Sequence, residues 1–483
     1  MVYFADHVRI SGSQDSELIQ SIRLLAIQRK TSLNLPKRVY DVKPLAQDSA
    51  KVWLEGYGCS ASMADYEMIG GLLKNAGFQI VSKEEDASLN LIVTCSVKDA
   101  TEHRMIHRIK RFTKSGKPLV IAGCLPKADR EKIELINPSA SLIGPHSIDK
   151  TVEVVASTLS GERQVILEDS DLDKINIPRV RMNPVVSIVE IASGCMSKCT
   201  FCQTRLAKGW LRSYRIGDII RQVRSDIVDG CREVWLTSTD NGCYGKDIGS
   251  DLIELLESCI AINGDFKIRV GMMNPMYLPG MLDRMANLFA KSEKIFKFLH
   301  IPVQSGSDKI LRMMKRGHSA KIFRDAVREL RSKMPEITIS TDVIVGFPSE
   351  RDSDFEKTLA LLEETEPDII NSSRYSARPG TESAGWRQDA NANLQLYPTI
   401  SSIKQRTERL HRLIREIGKR RNARWMGWVG EVIIDEIGKV VQGRNYCYRP
   451  VVISNPNYLH SLGAKVTIAV SAYSNYSLKG MAI

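Results

Sequence analysis

Three cysteines within eight residues constrain this chain more than any other feature. Cys195, Cys199 and Cys202 form a C-x3-C-x2-C run in the segment GCMSKCTFC. Their thiolates can each hold one iron of a four-iron cubane cluster, which leaves the fourth iron open to a substrate. A structural zinc site usually has four ligands in two short pairs, and no further cysteine or histidine follows nearby. Zinc binding or simple burial of the thiols is the weaker interpretation, and the spacing predicts an iron–sulfur cluster.

A second group of cysteines follows the strands of a predicted parallel sheet. The sequence alternates apolar runs with helical patterns, and the predicted strands are Val52–Tyr57, Ser88–Thr94 and Leu119–Ala122. A cysteine comes just after each strand: Cys59, Cys95 and Cys124. Because the carboxyl ends of parallel strands meet at one edge of the sheet, these thiols are expected to converge. Single cysteines often act as small buried hydrophobes, but three equivalent positions favour a second, three-cysteine cluster.

The pattern of alternating strands and helices continues beyond a charged linker at Asp169–Lys174 and Pro178. Six strands are predicted, at Val185–Ile191, Glu233–Thr237, Lys267–Met272, Phe296–Ile301, Thr338–Val345 and Asp368–Ser372. Five helices are predicted between them, at Ile216–Val228, Asp251–Ile262, Met281–Ala290, Ala320–Lys333 and Asp354–Glu364. This α/β pattern predicts a barrel or half-barrel of parallel strands, with the cysteine triplet on the loop after the first strand.

The last part of the chain changes character. A basic helix is predicted at Ser402–Ala423, followed by short β-rich runs at Trp428–Ile434, Val440–Val441, Val451–Ile453 and Lys465–Val470. These runs predict a small antiparallel barrel. The predicted domains are an extension at 1–48 with one helix at Ser16–Arg29, an α/β domain at 49–160, a half-barrel at 180–400, the basic helix at 401–423 and the small barrel at 424–483.

Charge points to a polyanionic partner. The net charge is +12, and residues 404–483 carry fourteen Lys and Arg against five Asp and Glu. Such a basic field suits nucleic acid, although a solvated basic face has the same composition. Tyr446, Tyr448 and Arg449 are candidates for base stacking and phosphate contact, with filling of a small core as the alternative.

The chain contains neither a secretory signal pattern nor an apolar run long enough to span a bilayer. Its ten cysteines therefore indicate metal binding rather than disulfides. We expect a cytoplasmic protein.

Many segments after residue 50 match one known family. They are GYGCSASMADYE, NLIVTCSVKDATEHR, VIAGCLPK, GCMSKCTFC, LHIPVQSGSDKIL, MKRGH, TDVIVGFPSE and YSARPGTESA. With these segments the chain resembles the radical S-adenosylmethionine (SAM) methylthiotransferases. The resemblance implies an N-terminal domain with three cluster cysteines, a radical SAM half-barrel and a C-terminal RNA-binding TRAM barrel.

Three further segments resemble the archaeal and eukaryotic branch of that family: AKGWLRSY, LTSTDNGCYGKDIG and RVGMMNP. The implied reaction is methylthiolation of C2 of N6-threonylcarbamoyladenosine at position 37 of tRNA. The alternatives are isopentenyladenosine in tRNA, an aspartate of a ribosomal protein, or an iron–sulfur RNA-binding protein without turnover. The segments QSGS and GFPSE favour an enzyme. The eukaryotic members carry a C-terminal membrane anchor, and the end of this sequence at Ile483 predicts none here.

The resemblance also implies residue roles. The cluster on Cys195, Cys199 and Cys202 cleaves SAM to a 5′-deoxyadenosyl radical, and a second SAM supplies the methyl group. A second [4Fe–4S] cluster, on Cys59, Cys95 and Cys124, holds the sulfur species. Expected SAM contacts are Phe201, Thr239, Asp240, Gln304, Ser305 and Gly346, although Phe201 could pack in the core and polar strand ends could cap helices. Cys231, Cys243, Cys259 and Cys447 are expected to be structural. The expected partners are the tRNA anticodon stem-loop and a reductant, and we expect a monomer.

Overall fold

A computed structural model describes residues 50–97, 99–170, 173–386, 397–454 and 461–483. The predicted N-terminal extension and its helix lie outside these residues. The first described unit is a six-stranded, fully parallel sheet with strand order β2-β1-β3-β4-β5-β6. Its strands are β1 Lys51–Gly56, β2 Gln79–Ile80, β3 Leu89–Thr94, β4 Leu119–Gly123, β5 Ser141–Ile143 and β6 Val165–Ile166.

The three predicted strands of this sheet are neighbours at its centre, and the apolar runs of β3 and β4 are buried on both faces. The sequence analysis missed β2, β5 and β6, because runs of two or three residues give no usable periodicity. Helices cover the sheet: α1 Ser60–Asn75, α2 Asp99–Lys114, α3 Cys124–Ala128, α4 Arg130–Ile136 and α5 Thr151–Leu159.

The second unit is the predicted half-barrel. Six parallel strands form two three-stranded sheets, and a bridge between Ile268 and Ile295 connects them. The strands are β7 Val186–Glu190, β10 Glu233–Thr237, β11 Lys267–Val270, β12 Phe298–His300, β13 Thr338–Val345 and β14 Ile369–Arg374. A small antiparallel pair, β8 Ala192–Ser193 and β9 Arg212–Ser213, follows β7. The α/β fold class is therefore confirmed.

The helices of this unit follow its strands along the chain. They are α6 Thr204–Lys208, α7 Ile216–Val228, α8 Leu252–Ile260, α9 Leu282–Lys291, α10 Asp308–Met313, α11 Ala320–Lys333, α12 Asp352–Thr365 and α13 Glu382–Gly385. The basic helix, α14 Ile400–Ala423, packs along β14 at one side of the half-barrel, whereas α1 packs along β7 at the other. Within the described ranges, no helix has the length and apolarity needed to cross a membrane.

The C-terminal unit is a closed five-stranded barrel, as expected. Its strands are β15 Val429–Ile437, β16 Val441–Arg444, β17 Pro450–Ile453, β18 Lys465–Tyr473 and β19 Leu478–Ala482. The sequence analysis missed β19, whose pattern is broken by Gly480. The pairing of β17 with β19 is parallel, so the barrel is not purely antiparallel.

The nucleic-acid role predicted for Tyr448 and Arg449 is wrong, whereas the role of the half-buried Tyr446 stays a prediction. Tyr448 is 8% exposed, and its ring packs against Phe296 and Phe298 of the half-barrel. Arg449 is 1% exposed and its guanidinium donates to Asn422, while the Tyr446 ring packs against Trp425 and Trp428. The alternative, core packing, holds for Tyr448 and Arg449, because the C-terminal barrel is seated on the end of the half-barrel.

Candidate active site

The three N-terminal cysteines meet at one edge of the first sheet. They follow β1, β3 and β4, which are neighbours in the strand order. Cys59 occupies the N-cap of α1 and Cys124 begins α3, so helix N-termini point at the site. A hydrogen bond from the Cys95 thiol lowers the pKa of Cys59 to about 5, and the Lys208 ammonium adds to this effect. Cys59 therefore favours the thiolate, whereas its hydrogen bond with Cys59 raises the pKa of Cys95 and burial raises that of Cys124 to about 12.

Close approach of the backbone explains the glycine before Cys59. Gly58 has φ of +119°, and a Cβ atom there would lie 2.2 Å from the Cβ of Cys95. Only glycine allows this approach, because any side chain would displace the second cysteine. The conformation thus brings Cys59 and Cys95 into contact.

The cysteine triplet follows β7 on the loop face of the half-barrel. The Cys195 Sγ accepts a hydrogen bond from the Ser197 amide at 3.3 Å. The Cys199 Sγ accepts one from Nη1 of Arg316 at 3.3 Å, and Nη2 of that buried arginine donates to the Pro302 carbonyl. The segment MKRGH by itself predicts no role for Arg316, since only the fold brings this residue to Cys199.

A fourth cysteine lies beside the triplet. The ligand atoms of Cys195, Asp240 and Cys243 all lie within 4.8 Å of one another. However, the Cys243 thiol donates to the Asp240 carbonyl at 3.1 Å, and its hydrogen bond with Cys195 raises its pKa strongly. Cys243 is therefore a protonated neighbour of the triplet. Its position in the segment TDNGC does not match the spacing of a metal-binding motif, so the sequence did not predict this proximity. Cys231, Cys259 and Cys447 are buried away from both groups.

Two of the expected SAM contacts have buried polar atoms without a partner, and a third, Asp240, lies beside Cys195. Oγ1 of Thr239 and Oε1 of Gln304 are buried and have no hydrogen-bond partner among the described residues. The Asp240 carboxylate accepts from the amides of Gly242 and Asn274, and burial raises its pKa to about 6. Its other oxygen lies 3.9 Å from the Cys195 Sγ.

The other three expected contacts are engaged within the fold. The Phe201 ring packs edge-on against Phe347, with centroids 6.3 Å apart. The Ser305 hydroxyl is buried against Oγ1 of Thr358 on α12. The Gly346 amide donates to Oε2 of Glu350 at 2.7 Å. Their roles toward SAM stay predictions.

A buried network of four charges connects the two cysteine groups. Glu190, at the end of β7, accepts from Nζ of Lys208 at 2.6 Å and lies 3.1 Å from Nζ of Lys174. Lys174 in turn donates to Asp65 of α1 at 2.5 Å. Burial lowers the pKa of Lys208, but Glu190 and Asp65 outweigh it and raise that pKa well above its usual value. The Lys208 ammonium is thus a fixed positive charge near Cys59 and Cys124.

Two family models match separate parts of this chain. The model of the radical SAM superfamily matches residues 189–362, and that of the uncharacterized protein family UPF0004 matches residues 51–144. Among solved structures, the radical SAM methyltransferase TsrM from Kitasatospora setae matches with a TM-score of 0.52 at 13% identity. The match covers 72% of this chain and 77% of that one, and it shows likeness of fold.

Curated relatives match nearly the whole chain. A probable threonylcarbamoyladenosine tRNA methylthiotransferase of Pyrococcus abyssi is 38% identical over 428 residues, covering 88% of this chain and 98% of the relative. The threonylcarbamoyladenosine tRNA methylthiotransferase of Drosophila melanogaster is 35% identical, covering 89% of this chain and 77% of the relative. At this identity and coverage, and with its radical SAM region, the chain belongs to the threonylcarbamoyladenosine tRNA methylthiotransferase family of radical SAM enzymes.

Proposed function

We propose that this enzyme methylthiolates C2 of N6-threonylcarbamoyladenosine at position 37 of tRNA. The observation that carries the proposal is the pair of three-cysteine sites at the carboxyl edges of two parallel sheets, connected through buried Lys208 and Glu190. The similarity to threonylcarbamoyladenosine tRNA methylthiotransferases supports this substrate. An adenine C2–H bond is not acidic, so acid–base catalysis alone gives little help there.

The donor sets fit two [4Fe–4S] clusters and SAM. Each site offers three thiols, and the nearest further thiol, Cys243, is held as a donor to a carbonyl. The unpartnered Thr239 Oγ1 and Gln304 Oε1 are polar atoms that a bound SAM would satisfy. The clusters, when bound, supply the electron that splits the SAM sulfonium and the iron that holds the sulfur to be transferred.

The protein's own residues hold these groups in place and keep water out. Arg316 donates to the Cys199 Sγ, so we propose that it fixes this ligand and offsets its negative charge. We propose that Cys59, Cys95 and Cys124 hold the sulfur-bearing cluster, while the Lys208 ammonium stabilises negative charge on that sulfur. Phe201, Ser305 and Gly346 support the wall of the SAM site through their packing.

The tRNA is proposed to approach along the side of the half-barrel that lies between α1 and α14. The exposed cations of α14 that form no ion pair with a described residue are suited to its phosphates: Lys404, Arg412, Arg415 and Lys419. We further propose that the enzyme acts as a monomer in the cytoplasm and takes its electron from a separate reductant.

The test is mass spectrometry of tRNA nucleosides from cells with and without this gene. We expect the 2-methylthio derivative of threonylcarbamoyladenosine to disappear on deletion and to return with the wild-type gene. Accumulation of unmethylthiolated isopentenyladenosine instead would assign the enzyme a different substrate. An unchanged nucleoside profile would contradict the proposal.

Two cysteine variants separate the proposed half-reactions. Under reducing, anaerobic conditions, Cys199→Ala should form no 5′-deoxyadenosine from SAM. Cys95→Ala should still form it but should give no methylthio product. Formation of that product by Cys95→Ala would remove the N-terminal cysteines from sulfur transfer, and 5′-deoxyadenosine formation by Cys199→Ala would remove the triplet from SAM cleavage.

A further inference from the structure

A cavity of about 490 Å³ lies at the open side of the half-barrel, between α1 and α14. All three units contribute to its wall, and Gly58 and Ser60, which flank Cys59, lie on the same wall. The volume is in the range of pockets that enclose a small molecule or a flipped nucleoside. Its strand-borne lining includes Ile188, Trp235, Arg269, Phe298 and His300.

Arg269 of β11 is the unusual residue of this lining. It is 3% exposed, and its Nε and Nη1 have no hydrogen-bond partner among the described residues. Its guanidinium carbon lies 5.0 Å from the Trp235 ring centroid and 5.2 Å from those of Phe298 and Tyr448. These rings stabilise the cation through their faces, but they leave N–H donors in the guanidinium plane unsatisfied.

The neighbouring carboxyl groups do not neutralise Arg269. Burial raises the pKa of Glu233 to about 8, and this side chain accepts from Nε1 of Trp235 at 3.0 Å. Asp435 is paired with Arg444 at 2.7 Å. The dominant effect of burial is to lower the pKa of Arg269, which reflects the missing counter-ion. The cavity therefore presents a desolvated positive charge that a bound anion would stabilise.

We propose that Arg269 binds the carboxylate of the threonylcarbamoyl group of the substrate nucleoside. This inference rests on the proposed function and names the residue that selects the substrate. A guanidinium suits a carboxylate, because hydrogen bonds between a charged donor and a charged acceptor are the stronger ones. Within the modified base the carboxylate is the anionic group, whereas tRNA phosphates remain outside a cavity that encloses one nucleoside.

The same geometry accounts for selectivity. An apolar substituent such as an isopentenyl group would leave the buried guanidinium unpaired, and unpaired buried polar groups are an effective way to reject a substrate. Gly58 and Ser60, which flank Cys59, line the same cavity as Arg269, so the proposal places the purine ring toward them. Arg269 is therefore a specificity-determining residue.

The test measures binding of anticodon stem-loop RNA that carries threonylcarbamoyladenosine or its methyl ester, with the full-length, cluster-loaded protein. The ester removes the negative charge of the group and adds one methyl group. We expect the wild type to prefer the acid by about 10- to 100-fold, the range for a charge-assisted hydrogen bond. Arg269→Met should bind both RNAs equally, Arg269→Lys should keep part of the preference, and the exposed control Arg328→Met should bind like the wild type.

Equal binding of acid and ester by the wild type would overturn the inference, and this comparison requires no variant. The inference would also be overturned if the Arg269→Met variant kept the full preference of the wild type for the acid over the ester. Failure of this inference is distinguishable from failure of the proposed function. If the wild type methylthiolates threonylcarbamoyladenosine tRNA but ignores the ester change, only the role of Arg269 is wrong.

Discussion

The Lys208 ammonium lies 2.6 Å from Oε1 of Glu190, and these two residues flank the cysteine triplet in the sequence. Glu190 ends the strand before the triplet and Lys208 ends the short helix after it. Both are almost fully buried. Their ion pair therefore connects the two ends of the segment that holds the triplet. It also places the positive charge of Lys208 near Cys59 and Cys124.

Removing the Glu190 charge should destabilise the fold. Glu190→Gln leaves two buried ammonium groups, Lys174 and Lys208, without their shared carboxylate. Breaking a buried ion pair from one side costs about 3–5 kcal/mol. We expect a loss of that size in the free energy of unfolding, measured by urea denaturation of the apoprotein. The control is exposed Glu363→Gln, which should change it by less than about 0.5 kcal/mol; equal effects of both substitutions would contradict the role of the network.

The contribution of Glu190 should depend on pH. Burial tends to raise its pKa, but Lys174 and Lys208 outweigh burial and lower it to about 2 from an unperturbed 4.5. Because the folded pKa is the lower one, this stabilisation is fully present above the unfolded pKa and is lost as pH falls through the folded pKa. The difference in unfolding free energy between wild type and Glu190→Gln should shrink from pH 6 to pH 3. A constant difference over this range would show that the carboxylate charge is not its cause.

Iron content should follow the two triads and not the neighbouring Cys243. The wild type should bind about eight irons after anaerobic reconstitution, from two four-iron clusters. Replacing Cys195, Cys199 and Cys202 together by Ala should leave about half. Cys243→Ala should keep the full content, because that thiol donates to the Asp240 carbonyl. A folded triple variant without iron, or a Cys243 variant with half the iron, would contradict the assignment.

Two tyrosines of the C-terminal barrel should behave differently. Tyr448→Ala removes a ring packed on Phe296 and Phe298, and aromatic truncation in a core costs about 3–5 kcal/mol. Tyr476 is 55% exposed and lines the cavity between α1 and α14 that also contains Arg269. Tyr476→Ala should preserve stability and weaken RNA binding by about 1–3 kcal/mol through lost base stacking. Thermal unfolding and RNA titration separate these effects, and the reverse pattern would place the RNA contact at Tyr448.

Helix α14 should contribute phosphate contacts. Arg412, Arg415 and Lys419 are exposed at helical spacing, whereas Arg409 is paired with Glu356. Replacing the three by Ala should weaken tRNA binding and reduce the slope of log affinity against log salt by about 2. The matched control replaces Lys321, Arg324 and Arg328 of α11. If both triple variants lose the same slope, the effect is general charge and not a contact of α14.

The sequence determined both cysteine groups because their signals are local. The triplet is a spacing within one loop, and Cys59, Cys95 and Cys124 each follow an apolar strand. Parallel strands end at a common edge, so the convergence of the second group could be predicted without coordinates. The strands and helices of the half-barrel could also be predicted, because their apolar periodicity is local to each element.

Only the tertiary structure decided the partners of isolated charged and aromatic residues. Arg316 reaches Cys199 across more than a hundred positions of the chain, and Arg269 meets Tyr448 from another unit. Tyr448 looked suitable for RNA but is buried, because the C-terminal barrel seats its loop on the half-barrel. A sequence pattern reports periodicity along one element, whereas burial and charge pairing depend on which elements pack together.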